Sequence, residues 1–167
     1  MINKKYNHII GIDPDTNKSG VAYLIKDTRT LEVTDLAFPE LLDYLQWVKK
    51  ESDNNNHAFV VIVEASWHTS NNWHIRKGTR VREAAAIGNR TGRGHEVGRK
   101  IIEMCKHYEI DVIEQRPLKK CWKGTDGKIT HKELAYFTGI GGRTNQEKRD
   151  AVLLAWNYAN LPIRMKV

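Results

Sequence analysis

Two carboxylates, Glu147 and Asp150, lie three residues apart at the start of an apolar run that ends Ala151-Val152-Leu153-Leu154-Ala155-Trp156. At that spacing both project from one face of a helix. Two more acids each close an apolar, strand-like run. Asp13 ends His8-Ile9-Ile10-Gly11-Ile12-Asp13 ahead of Pro14, and Glu64 ends Phe59-Val60-Val61-Ile62-Val63-Glu64. Such a set suits a divalent metal, because Mg²⁺ takes hard oxygen ligands and keeps several waters, so a few carboxylates suffice. Two ions held roughly 3.5–4 Å apart activate water and stabilise the leaving oxygen when a phosphodiester is cut. The expected chemistry is therefore phosphodiester hydrolysis with two Mg²⁺ ions, or Mn²⁺ in their place, held by Asp13, Glu64, Glu147 and Asp150.

Each acid also has a plainer reading. Asp13 before Pro14 can open a turn, and Glu64 can be an edge carboxylate. Thr144-x-x-Glu147 fits a capping box, in which Glu147 bonds the backbone at the helix start. Asp150 borders the core stripe Ala151, Leu154 and Ala155, and capping does not explain it.

The elements that must position these acids read as one α/β domain over residues 1–167. Ile9 to Asp13, Val21 to Lys26 and Leu31 to Phe38, joined by short turns, form an antiparallel meander. Pro39 opens a helix with the apolar face Leu41, Leu42, Leu45 and Val48. Phe59 to Glu64 is a strand covered on both faces, followed by a polar loop from Ala65 to Gly78. A helix is expected from Thr79 to Tyr108, with an interruption near Gly92-Arg93-Gly94. A fifth strand covers Asp111 to Glu114, a basic loop Arg116 to Thr130, and a short helix His131 to Phe137. The last helix covers Asn145 to Tyr158. A meander followed by alternating strands and helices gives a five-stranded mixed sheet flanked by helices.

Twenty-seven Lys and Arg against 20 Asp and Glu give a net charge of +7, which predicts a polyanionic partner. The bases are concentrated. Arg76 to Lys100 holds eight (Arg76, Lys77, Arg80, Arg82, Arg90, Arg93, Arg99 and Lys100) against Glu83 and Glu96. Arg116 to Lys132 holds six, Lys119, Lys120, Lys123 and Lys132 among them, against Asp126 alone. Two basic stretches flanking the acids read as a track for nucleic-acid phosphates. No apolar run approaches the 18 residues of a membrane span, and neither GxxxxGK[ST] nor GxGxxG occurs, so no nucleotide cofactor is expected. Cys105 and Cys121 lack metal-ligand spacing, and with no leader-like run they are expected to be free, buried thiols of a cytoplasmic protein. Of the tryptophans, Trp47, Trp122 and Trp156 are assigned to core or loop packing. Trp67, His68 and Trp73 sit in the polar loop after Glu64, where a ring is either a core plug or a stacking surface for bases.

Taken as an ordered set, Ile10-Gly11-Ile12-Asp13-Pro14, Ser19-Gly20-Val21-Ala22, Val63-Glu64 and Glu147-x-x-Asp150-Ala151 resemble the RuvC family of Holliday-junction resolvases over about residues 8–158. The resemblance implies an RNase H-like fold, the four acids as the metal-binding and catalytic set, branched DNA (a four-way junction) as substrate, and roles in recombination and repair. It also implies a homodimer whose helix after the loop, here with Gly88, Gly92, Gly94 and Gly98, lies at the two-fold interface. The family's basic loop, with a lysine before a glycine turn and another after it, resembles Lys119 or Lys120, Gly124, Gly127 and Lys132. Its aromatic three residues past the second acid, which inserts at the branch point, corresponds to Trp67. Asp15 stands where the family usually has Gly, an extra acid near the metals. Competing readings are a phage-type branched-DNA or flap endonuclease of relaxed specificity, and a non-catalytic nucleic-acid binder. An actin-like ATPase, which also opens with a Gly-x-Asp strand, needs far more chain.

Overall fold

The computed structural model describes residues 6–69 and 75–164. Five strands, β1 (His8–Asp13), β2 (Ser19–Ile25), β3 (Thr30–Leu36), β4 (Phe59–Glu64) and β5 (Asp111–Gln115), form one sheet in the order β3-β2-β1-β4-β5. β1–β2 and β2–β3 pair antiparallel, whereas β1–β4 and β4–β5 pair parallel. Hairpin-length turns allow the first three strands to reverse, while a parallel neighbour requires a crossover, here a helix each time. This is the five-stranded mixed α/β sheet, antiparallel in its first three strands, that the sequence predicts.

Alternation along the central strands divides the core in two. Ile10, Ile12, Val61 and Val63 face α1 (Phe38–Asn54) and the C-terminal part of α2 (Val81–His107), meeting Leu41, Leu45, Ile101 and Cys105. The alternate residues Ile9, Val60 and Ile62 face α4 (Gln146–Tyr158), against Leu154, Ala155 and the buried Trp156. The short helix α3 (His131–Thr138) joins that second layer through Leu134, beside Ile129, Ala151 and Val152.

Several local expectations are corrected. α2 runs without interruption through Gly92-Arg93-Gly94; a glycine costs a helix only about 1 kcal/mol, which neighbouring turns absorb. Cys105 is buried but Cys121 is exposed. Trp47 is 58% exposed, leaning on Tyr44 outside the core, whereas Trp122 packs on Phe137 and Trp156 lies in the core, as expected.

Candidate active site

β1 and β4 stay in register from His8 opposite Phe59 to Ile12 opposite Val63, so the next residues, Asp13 and Glu64, end neighbouring parallel strands side by side. Period-two alternation aims both at the face carrying α4. Two glycines let that helix come down onto the sheet. A Cβ on Gly11 would lie 2.1 Å from the Ala151 carbonyl oxygen, and one on Gly20 would lie 2.2 Å from that of Glu147. Gly20 is the register partner of Asp13. The first turn of α4 is thereby pressed against the strand end that carries the first acid.

The start of α4 is fixed by Asn145. Its Oδ1 accepts from the Lys148 N–H at 2.9 Å, and its Nδ2 donates to Asp35 Oδ2 at 3.0 Å. Lys148 Nζ reaches the same Asp35 oxygen at 3.0 Å, tying the helix to β3. The Thr144/Glu147 capping box does not form. Thr144 precedes the cap, and its hydroxyl instead meets His131 Nδ1 at 2.9 Å. Glu147 is thus released from capping. Asp15 is also spent locally, its Oδ1 accepting from the Asn17 N–H at 2.8 Å within the turn.

The electrostatics show the acids converging. The Asp13 carboxyl is raised well above the usual range, first by burial and then by the charges of Glu64, Asp150 and Glu147, with Lys128 opposing. Burial and Asp150 push Glu64 up to about 7, against Lys120 and Lys128. Asp150 is raised by burial, while a 2.7 Å hydrogen bond from Gln146 Nε2 and the charges of Lys128, Lys120 and Arg149 act the other way. Among the described residues no hydrogen bond occupies the carboxylates of Asp13, Glu64 or Glu147. Nor are any three His, Cys, Asp or Glu side chains gathered within reach of one ion among them. The acids are close enough to act on one another's charge without forming a closed chelate. The donor set fits a cation such as Mg²⁺, which keeps part of its own water shell, and the crowding of like charge is what such a cation would relieve.

Lys120 and Lys128 are the lysines that oppose the acids, and the loop explains why. The Trp122 N–H donates to the Gly127 carbonyl and the Gly124 N–H to that of Lys128, both at 3.0 Å. Asp126 (φ 56°) and Gly127 (φ 72°) reverse the chain, and a Cβ on Gly127 would stand 3.1 Å from the Lys120 carbonyl oxygen. The fold therefore lays the Lys120 and Lys128 arms side by side. Lys132, on α3, and Lys119 are exposed and do not figure among the charges acting on the acids. Lys128 figures among those charges for Asp13, Glu64 and Asp150 alike. Sequence reading missed it, although Asp126-Gly127 is a turn pair that points to its neighbour.

The remaining expected contacts lie on and before α2, on the basic loop and just after β4. Arg76, Lys77, Arg80, Arg90 and Arg93 are exposed on and before α2, and Lys123 on the basic loop. His68 Nε2 lies 2.6 Å from Glu114 Oε2 on β5. Trp67 is half-buried. A Cβ on Gly98 of α2 would meet its ring at 2.5 Å, and the Arg99 guanidinium lies 5.4 Å from the ring centroid. The loop does have a core for this ring, the first of the two readings open to it. Trp73 lies outside the described residues.

No protein-family profile matches the chain, and no curated protein matches its sequence. Among solved structures it is similar to Thermus thermophilus RuvC in complex with a Holliday-junction substrate, at 14% identity and a TM-score of 0.46 over 92% of this chain and 93% of that one. It is also similar to the fowlpox virus resolvase in complex with Holliday-junction DNA, at 14% identity and 0.41 over 92% and 97%. The large terminase nuclease of phage G20c gives 15% identity and 0.32 over 92% and 82%. At these identities the chemistry of the site rests on this chain's own residues.

Proposed function

We propose that the chain is a metal-dependent endonuclease that resolves four-way DNA junctions by paired symmetric nicks, working as a homodimer. What supports this reading is that Asp13 and Glu64 end neighbouring parallel strands beneath the helix that carries Glu147 and Asp150, and that the charges of these acids act on one another, with Lys120 and Lys128 opposing. The four carboxylates would hold Mg²⁺, which supplies an activated water and a Lewis acid for the departing oxygen. Lys120 and Lys128 set positive charge where the scissile phosphate gathers negative charge, the kind of fixed donor that lowers such a barrier most. The bases of α2 and of the Lys119–Lys123 segment hold the backbone on either side.

The choice of branched DNA follows the motif resemblance, and the dimer follows α2. Cβ atoms added at Gly88 and Gly92, one helical turn apart, would meet nothing within 4 Å, leaving a narrow helix face open to a second copy. A two-fold assembly presents two such centres to opposed strands. A second reading, a branched-DNA or flap endonuclease of relaxed specificity, is favoured by the seat of Trp67 against Gly98, which withdraws the ring from a branch point. The test is to incubate the purified protein and Mg²⁺ with a synthetic four-way junction, a flap and a linear duplex of the same sequences. Symmetric nicks on the junction, well ahead of the flap and duplex, are expected. Equal cutting of flap and junction would favour the second reading.

A further inference from the structure

Arg149 is a cation in the first turn of α4, where the helix dipole disfavours positive charge. All three nitrogens of its half-buried guanidinium donate. Nε donates to the Ile129 carbonyl at 2.9 Å, Nη1 to the Thr144 carbonyl at 2.6 Å, and Nη2 to Gln146 Oε1 at 2.9 Å. Gln146 then passes the chain of bonds onward. With Oε1 accepting, its Nε2 must donate, and it does so to Asp150 Oδ1 at 2.7 Å. At the other end, Ile129 directly follows Lys128 and is 1% exposed. One side chain thus joins the returning arm of the basic loop, the entry to α4 and, through one amide, the fourth acid.

We propose that Arg149 and Gln146 are positioning residues that set the Asp150 carboxylate and the Lys128 arm as one unit, an inference that rests on the nuclease reading above. Neither residue is placed to touch substrate. Arg149 fixes the backbone from which Lys128 projects and the orientation of the Gln146 amide. That amide in turn holds one oxygen of Asp150 and leaves the other for a ligand. A lysine cannot replace the fork, since one ammonium nitrogen cannot reach three acceptors that are met by three separate nitrogens around the guanidinium plane. Partners of this kind, standing behind metal ligands, typically change metal affinity or activity about 10–100-fold when lost.

The test uses the full chain with Arg149→Lys, Gln146→Met and the double variant. Three quantities are read: Mg²⁺ binding to the DNA-free protein by calorimetry, affinity for a four-way junction without metal, and the single-turnover nicking rate at saturating junction. Each single variant is expected to weaken Mg²⁺ binding and slow nicking by about 10–100-fold, with junction affinity within about threefold of wild type. The double variant is expected to lose no more than the worse single, because the two act in series. Guanidinium ion added to Arg149→Ala should restore part of the rate. A merely structural tie would lower the melting temperature and junction affinity and leave Mg²⁺ binding per folded molecule unchanged, which overturns the inference. So would losses that multiply in the double variant. If Arg149→Lys fails to melt cooperatively, Gln146→Met carries the same test. A wild-type chain that neither binds Mg²⁺ nor nicks DNA overturns the nuclease reading and this inference with it. Wild-type nicking with unimpaired variants overturns the inference alone.

Discussion

The last helix and the first half of the long one are built on opposite terms. In α4, six consecutive residues from Ala151 to Trp156 are buried, and its backbone touches the sheet at Gly11 and Gly20 with no room for a methyl group. In α2, 27 residues long and so about 40 Å, the buried positions Gly98, Ile101, Ile102 and Cys105 all fall toward the C-terminal end. Its N-terminal half projects, with Val81 87% exposed and arginines along it. Backbone contact locates a group to a fraction of an ångström, which carboxylates sharing ions require. Phosphate attraction falls off over about 10 Å at moderate salt, so it tolerates a loosely held helix. Under the proposed function, the chemistry falls where the packing is tight and the affinity where it is loose.

The sharpest test of that division concerns the lysines. Lys128→Ala, in the tightly held loop, should lower the single-turnover rate by about 10²–10³ at saturating junction, the usual loss of one donor at a developing oxyanion. Lys132→Ala should leave that rate near wild type and weaken binding slightly. Equal effects from the two would remove the assignment of Lys128.

Adding one methyl group in each region should move stability in opposite directions. Gly20→Ala meets the Glu147 carbonyl at 2.2 Å, against backbone that cannot swing aside. A loss of about 1–3 kcal/mol is expected, with α4 displaced and nicking impaired. Gly94→Ala on α2 meets nothing within 4 Å and should gain about 0.8–1 kcal/mol from helix propensity. Chemical denaturation of the two variants measures both.

Metal removal probes the same tight region. Glu64 is raised in the folded protein from 4.5 to about 7, and Asp13 is raised as well. A folded state that holds its protons more firmly than the unfolded chain loses stability as they leave. The metal-free melting temperature should therefore fall as pH rises from about 4.5 through about 7, as far as these acids govern it. Mg²⁺ should restore more of it at pH 8 than at pH 5. An equal Mg²⁺ effect at both would mean that the ion binds elsewhere.

The smallest effect belongs to α2. Arg93→Ala should weaken junction binding modestly and reduce the salt slope by about one unit, with the single-turnover rate at saturation untouched. A change in that rate would bring α2 into the reaction and blur the division.

Much of the tight region was legible in the chain. Acids closing two apolar strands, and an i, i+3 pair opening an apolar helix, are local patterns whose meeting follows from parallel register and period-two alternation. Contacts between distant segments were less legible. Lys128 acts on the charge of the acids from a loop whose Asp126-Gly127 reversal brings it beside Lys120, whereas spacing alone pointed to Lys132. Thr144 and Asn145 are both competent caps, and the ties of Asn145 and Lys148 to Asp35 on β3 accompany the choice of Asn145. The choice between plug and stacking surface for Trp67 was not legible, because its seat is a glycine 31 positions further on.

Whether the four acids form the cleavage centre is tested most directly with Asp13→Asn, compared with wild type on a synthetic four-way junction. Nicking in Mg²⁺ and junction affinity without metal are measured on the same preparations. Nicking should vanish while affinity stays equal or improves, since a carboxylate that holds cations also repels phosphate when they are absent. Nicking at the wild-type rate by Asp13→Asn would contradict it.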